Sequence, residues 1–386
     1  MAMAYTPGLK RKAATTIVKE RKLPIAGEVL VKQGSTVSYD AEIARANLPG
    51  KVSVINAAIA MQLETSGSEL SEQISTTELS KYMLKKVGDS VEKGEILAQR
   101  RGMFGLYHRE LRSPVKGVLE YYSDVTGQVL IREPPVPLTI DAFIPGTVTK
   151  VISQEGVEIE TPAAFIQGIF GIGGETHGEL MMLASSPDDV LTADKIDERC
   201  SGHIIVGGSL VDVSVLKKAV ANGVKGVLVG GIRDGDLSSF MGYDIGVAIT
   251  GEEDVGLTLI LMEGFGKMRM ANKTFELLKK FEGNLACING ATQIRAGVLR
   301  PEIIIPLSDK SVAEDEDTKL LLEGIKPGLP VRVISHPHFG ALARVISLPI
   351  DLQRVETESD VRVLEVELED GQRVLVPRAN VELIEE

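Results

Sequence analysis

The chain has 386 residues, 44% of them hydrophobic and 25% charged; that length exceeds one typical core, so two to four globular domains are expected. A formal net charge of -12 argues against a protein whose main business is gripping a phosphate backbone, because Lys and Arg dominate such binding. No apolar run approaches the roughly 18 residues of a membrane span and the first residues lack the apolar stretch of a secretory signal, so a cytoplasmic protein without membrane contact is expected.

Residues 1–22 carry Lys10-Arg-Lys12 and Lys19-Glu-Arg-Lys22, a basic lead-in that reads as a solvated segment. From 23 to 189, runs rich in Val, Ile and Leu alternate with Gly, Pro, Asp and Ser, which predicts short strands and tight turns. A Gly-x-x-Val element occurs twice, in Gly34-Ser-Thr-Val37 and Gly88-Asp-Ser-Val91. It predicts two related β modules, or one module with an insertion. Glu133-Pro-Pro-Val-Pro137 is expected to interrupt the strands as an extended linker, since proline cannot donate to a ladder.

Residues 190–306 read as an α/β domain. His203-Ile-Ile-Val-Gly207 and Gly226-Val-Leu-Val-Gly230 are buried-strand patterns, and Val213–Asn222 between them has apolar residues at helical spacing. Such a unit implies a parallel strand pair with a crossover helix. Further strands are expected over Asp244–Thr250 and Leu257–Met262, and an amphipathic helix over Asn272–Phe281 closed by Gly283. Residues 307–323 form an acidic linker by composition, and 324–386 are strands only, with a hairpin turn at Glu369-Asp-Gly371.

Two stretches resemble known families. Leu23–Val37, Lys86-Val-Gly-Asp-Ser-Val-Glu-Lys-Gly-Glu-Ile96 and Ser113-Pro-Val-Lys-Gly117 together resemble the biotinyl/lipoyl-like barrel-sandwich hybrid over about 23–123. In carrier members of that family a modifiable lysine sits at a hairpin tip between the two halves. Here no lysine lies between Gly94 and Val115, Arg100 and Arg101 stand there instead, and Lys51 lacks the usual carrier flanks. The resemblance therefore implies scaffold architecture, with no cofactor expected. Gly328-Leu-Pro-Val-Arg-Val-Ile334 followed by Ser335-His-Pro-His-Phe339-Gly340 and Arg344 resembles a KOW motif, which implies an SH3-like barrel with His336, His338, Phe339 and Arg344 as partner-binding residues. The tail holds more Asp and Glu than Lys and Arg, which suits a protein contact better than nucleic acid.

Candidate ligand residues are glycines that let backbone approach an anion: Gly171, Gly173 and Gly174, followed by Glu175 and His177, and Gly207, Gly208, Gly230, Gly231 and Arg233 at the ends of the expected parallel strands. None of the spacings matches a nucleotide-binding fingerprint. Cys200 and Cys287 read as buried thiols. Neither Cys200-x-x-His203 nor His336-Pro-His338 has the further ligands a zinc site needs, so no metal is expected.

The expected protein is therefore multidomain α+β: β-rich barrel-sandwich hybrid modules, one α/β domain with a parallel strand pair, and a C-terminal SH3-like β-barrel. Its expected role is a non-catalytic scaffold or adaptor working through protein partners or self-association in an oligomer. The alternatives are an enzyme or enzyme subunit with a small ligand at the strand ends of the α/β domain, and a transcription- or translation-associated factor acting through the KOW-like barrel.

Overall fold

The structure is a computed structural model that describes residues 9–61, 79–101, 108–243, 253, 255–292, 299–307, 325–333, 338, 341–349, 353–354, 360–368 and 370–383. It opens with β1 (Arg11–Lys22), the segment expected as a solvated lead-in. This strand runs antiparallel along Gly156–Gln167, with Arg11 opposite Ile166 and Lys22 opposite Gly156. Its charge had pointed to solvent, but the cations meet carboxylates distant in sequence. Lys19 pairs with Glu302, and Arg21 pairs with Asp141 and Glu175.

Two β modules follow, one nested inside the other. β2 (Glu28–Val29), β3 (Thr36–Val37) and β4 (Glu42–Leu48) begin the first. β5 (Val52–Asn56), the short helix α1 (Ala57–Ala60), β6 (Ser90–Val91), β7 (Ile96–Arg101), β8 (His108–Arg112), β9 (Gly117–Tyr122) and β10 (Gln128–Arg132) make the second. The chain then returns through β11 (Val136–Asp141) and β12 (Gly146–Ile152) to complete the first. Paired strands mark the insertion: β4 lies against β11 with Leu48 opposite Val136, and β5 against β10 with Val52 opposite Arg132.

The modules repeat one turn, bond for bond. In the first, the Gly34 N–H donates to the Val148 carbonyl at 2.7 Å, Val148 N–H to Ser35 at 2.9 Å and Ser35 N–H to Lys32 at 3.1 Å. In the second, Gly88 donates to Leu119 at 2.8 Å, Leu119 to Asp89 at 2.9 Å and Asp89 to Lys86 at 3.0 Å. Gly34 and Gly88 have φ of 84° and 95°, which side-chain-bearing residues avoid, so this turn selects glycine. Ile43, Ile144, Val148 and Ile159 are among the core residues of the first module; Leu97, Leu119, Val129 and Ile131 are among those of the second. Pro137, expected in a linker, is instead paired opposite Asn47 in β11. That strand is the edge of a three-stranded sheet, where a missing N–H is tolerated.

A mixed sheet occupies the middle of the chain: β13 (Gly156–Gln167), β14 (Phe170–Ile172), β15 (Glu175–Met182), β16 (Ile204–Val206), α2 (Val213–Ala221), β17 (Gly226–Ile232), α3 (Asp234–Met241), β18 (Thr258–Phe265), α4 (Asn272–Lys280), β19 (Leu285–Asn289) and β20 (Glu302–Pro306). Its strand order is β14-β18-β17-β16-β15-β19-β20-β13-β12-β3, with β1 added against β13. The expected parallel pair is β16 and β17, and parallel pairing extends outward to β15 and β18. Alternate strand residues serve opposite faces. Ile205, Val227, Val229, Leu259 and Leu261 pack with Val215 and Leu216 of α2 and Leu237 of α3, while Val206, Leu228, Ile260 and Met262 pack with Phe275 and Leu278 of α4. The sheet runs through the expected boundary at 189/190, because β13, β14 and β15 pair with strands beyond it. Helix α3 is an addition to the expected elements: Asp234 and Asp236 in its first turn suit the helix dipole, and Gly242 caps its end. The expected strand Asp244–Thr250 and residues 308–323 of the acidic linker lie outside the described residues.

The C-terminal part comprises β21 (Pro330–Val333), β22 (Leu342–Ser347), β23 (Gln353–Arg354), β24 (Asp360–Val361), β25 (Val363–Leu368), β26 (Arg373–Pro377) and β27 (Val381–Leu383). Five of these form an antiparallel sheet in the order β26-β25-β22-β21-β27 around Val331, Val345, Leu364 and Val366. Arg332 of this sheet is buried and forms an ion pair with Glu263 of β18, whose other oxygen accepts from the Ala271 N–H at 2.9 Å. The Arg332 Nε has no partner among the described residues. A buried charge pair of this kind fixes position more than it adds stability.

Candidate functional site

The glycines at the parallel strand ends are occupied by the chain's own backbone. Gly207, Gly208, Gly230 and Gly231 are all buried. A Cβ on Gly208 would lie 2.3 Å from the Asp189 carbonyl oxygen, and one on Gly230 would lie 1.9 Å from that of Met268. The Gly230 N–H donates to Gly208 at 2.7 Å, Ser209 N–H to Asp189 at 2.7 Å and Met268 N–H to Ser209 at 3.0 Å. These loops are stitched to one another where a ligand crevice was expected. Arg233 is exposed beside them, 3.8 Å from Asp236.

The other glycine run reaches a cleft. Gly171 is held by Thr292, whose hydroxyl accepts from its N–H at 2.8 Å, and Gly173 lies tight against Leu257. Gly174 has open space beside it and lines a polar cleft of about 550 Å³ with Glu20, Arg21, Lys22, Ile140, Glu175 and Asn289. Arg21 organises this cleft. Its guanidinium donates to Glu175 at 2.6 Å, to the Asp141 carboxylate at 3.1 Å and to the Asp141 carbonyl at 3.0 Å, and it lies 5.4 Å from the Phe143 ring centroid. His177 stands two residues from Glu175 on β15 and packs against Tyr39 with ring centroids 4.1 Å apart and the rings tilted by 46°.

Cys287 is directly opposite His177 across β15 and β19, a juxtaposition that invites a thiol mechanism. The thiol is fully buried, however, and burial first, then the Asp141 and Glu175 carboxylates, push its pKa up to about 12. A thiol so held is protonated at neutral pH and is a poor nucleophile. Among the described residues no group of three or more His, Cys, Asp and Glu is placed to hold a metal ion. The charges lining the cleft are spent on one another, and their visible effect is to staple β1 to β11 and β15.

The least satisfied surface is apolar. The four-stranded sheet β5-β10-β9-β6 buries one face on the second module's core. On its other face Val54 is 59% exposed, Tyr121 53% and Val118 44%, and Val52 is exposed beside them. The register aligns them in rows: Val54, Leu130 and Tyr121 in one, Val52, Arg132, Val118 and Ser90 in the next. At the β6 end the face continues into a groove of about 610 Å³ lined in part by Val87, Val118, Pro134 and Pro135, with Lys116 and Glu120 also on its walls. Arg132, in the second row, pairs with Glu120 at 2.8 Å, so the apolar exposure is concentrated in the row of Val54, Leu130 and Tyr121 and in the flanking Val52 and Val118.

Of the expected partner-binding residues, His336 and Phe339 lie outside the described residues. His338 is half-buried, and Arg344 is exposed on β22, donating to the Gly328 carbonyl at 2.8 Å. Among the described residues no helix is long and apolar enough to cross a membrane. In comparisons with known proteins, no family model and no curated protein matches the chain.

Proposed function

We propose that this chain is a non-catalytic scaffold or adaptor working through protein–protein contacts, with nested barrel-sandwich hybrid modules, a central α/β domain and a C-terminal SH3-like barrel. The observation that carries this reading is the exposed apolar face of the second module. Hydrophobic residues set singly on a surface need no explanation, but the row Val54, Leu130 and Tyr121, with Val52 and Val118 beside it, gathers them on one sheet face around the Arg132–Glu120 ion pair. The polar clusters offer less, since the cleft's charges pair internally and the strand-end loops close on themselves. No cofactor enters this reading. Protein is the expected partner class, because the negative net charge disfavours nucleic acid.

Charge placed on the face tests the reading. Val118→Glu with Tyr121→Glu is expected to abolish association in sedimentation velocity while leaving the thermal midpoint within a few degrees, since both side chains point to solvent. Unchanged association in the double variant would remove the face from the function. A second reading, an enzyme subunit with a small polar ligand, has its best location at the cleft around Arg21 and Glu175. It predicts a ligand-dependent thermal shift across a metabolite panel that Arg21→Ala removes.

A further inference from the structure

The outer face of the C-terminal sheet carries a buried arginine. β21 lies between β22 and β27, and alternation sends Val331 and Val333 into that part's own core. Arg332 therefore points from the opposite face, where an antiparallel sheet normally meets water. It is nevertheless buried, and an arginine is rarely so unless it is paired. Its partner, Glu263, belongs to the central sheet, 69 residues away in sequence.

The central sheet prepares Glu263 for this contact. Val229 of β17 stands opposite Leu261, but Gly231 stands opposite Gly264, so β18 has one extra residue where Glu263 sits. An irregularity of that kind re-aims a side chain. One carboxylate oxygen accepts from the Ala271 N–H at 2.9 Å, just before α4, and the other accepts from the Arg332 guanidinium. The carboxylate is thus held from within its own domain, and the C-terminal sheet brings the cation to it.

We infer that Arg332 and Glu263 form a latch that holds the C-terminal sheet on the carboxyl end of β18, and that opening it frees this sheet as a folded unit. Among the described residues, the apolar core of the C-terminal part runs from Ile325 to Val381 and its strands pair with one another, so opening takes no side chain out of that core. The pair itself is poorly compensated. Desolvating two charges offsets much of their attraction, and the buried Arg332 Nε has no hydrogen-bond partner among the described residues. The latch therefore fixes where the sheet docks without making docking strong, as a two-state element requires. It is independent of the apolar face of the second module.

The test is arginine-directed dicarbonyl labelling of the full chain, read residue by residue by peptide mass spectrometry. Arg344, exposed on β22, is the internal reference. In the parent, Arg332 is expected to label at least about tenfold more slowly than Arg344, because its guanidinium is enclosed. Glu263→Gln keeps an acceptor for the Ala271 N–H but removes the charge, and is expected to raise the Arg332 rate at least about tenfold. Amide exchange in β25, which gives Leu364 and Val366 to the C-terminal core, is expected to stay at the parent level, the sign of release without unfolding. Arg332→Met, which leaves Glu263 and its bond to Ala271 in place, is expected to enlarge the radius of gyration in X-ray scattering. Arg332 labelling as fast as Arg344 in the parent, labelling unchanged by Glu263→Gln, β25 protection lost in that variant, or a radius of gyration unchanged by Arg332→Met would each overturn the inference.

Discussion

The two nested β modules share a turn and differ in their surroundings. In the first, β3 pairs with β12, β12 pairs with β13, and through them the module continues into the eleven-stranded sheet. Its core includes Cys287 and Ile304 from β19 and β20. In the second, the four-stranded sheet ends at β5 and β6, and among the described residues its core draws only on those from Ile55 to Ile131. One local pattern thus yields a fused module and a projecting one, and the projecting copy keeps Val54, Val118 and Tyr121 exposed on its outer face. The repeated turn specifies a fold; the role of each copy follows from what its edges meet.

The largest expected effects probe this difference in connection. Ile43→Ala in the first core and Ile131→Ala in the second should each cost about 2–5 kcal/mol in denaturant unfolding, as both side chains are fully buried. Their reach should differ. Ile43→Ala should lower amide exchange protection into β12 and β13, whereas Ile131→Ala should confine the loss to β5–β10. Equal spread in the two variants would dissolve the distinction between fused and projecting modules.

Next in size are the matched close-approach glycines. A Cβ on Gly117 would lie 2.2 Å from the Arg132 carbonyl oxygen, and one on Gly146 would lie 2.4 Å from that of Glu160. Gly117→Ala and Gly146→Ala should each destabilise by about 1–3 kcal/mol, measured by urea midpoints, through forced backbone shifts. A neutral result for one alone would show that the repeat is not equivalent at this position.

The smallest expected effect is a pH dependence shared by the modules. In the first, the Ser38 hydroxyl bonded at 2.6 Å holds the Asp40 carboxyl below its ordinary value; in the second, the Lys85 ammonium does so for Glu95, helped by the Glu92 N–H at 2.8 Å. A carboxyl with a depressed folded-state pKa stabilises above its unfolded value, roughly 4, and that contribution fades as pH falls through the folded value. Asp40→Asn and Glu95→Gln should therefore lower the urea midpoint at pH 7 and narrow their gap to the parent as the pH drops toward 3. A gap that stays constant with pH would show that these carboxylates act through shape and not through charge.

The elements Ile204–Val206, α2, Gly226–Ile232 and α4 were legible in the sequence, because they announce themselves by continuous apolar runs or helical spacing. The nesting was harder to read. Gly34 and Val37 stand far in sequence from Gly146 and Val148, and the whole second module intervenes. Strand β1 was hidden for a related reason: Lys19 and Arg21 look solvated until Glu302, Asp141 and Glu175 arrive from distant strands. Of the cleft, Gly174, Glu175 and His177 were legible as a run, whereas Arg21 and Asn289 join them only through pairing. The apolar face left no local signal, since Val52, Val118 and Tyr121 become neighbours through cross-strand register.

The most direct test of the account is amide hydrogen exchange on the full chain at two concentrations, one below and one above the association midpoint. The amides of β5, β9 and β10 should gain protection at the higher concentration, with those of β21–β27 unchanged. Protection of β5, β9 and β10 that is the same at both concentrations, while association is evident by sedimentation, would contradict the assignment of the second module as the contact surface.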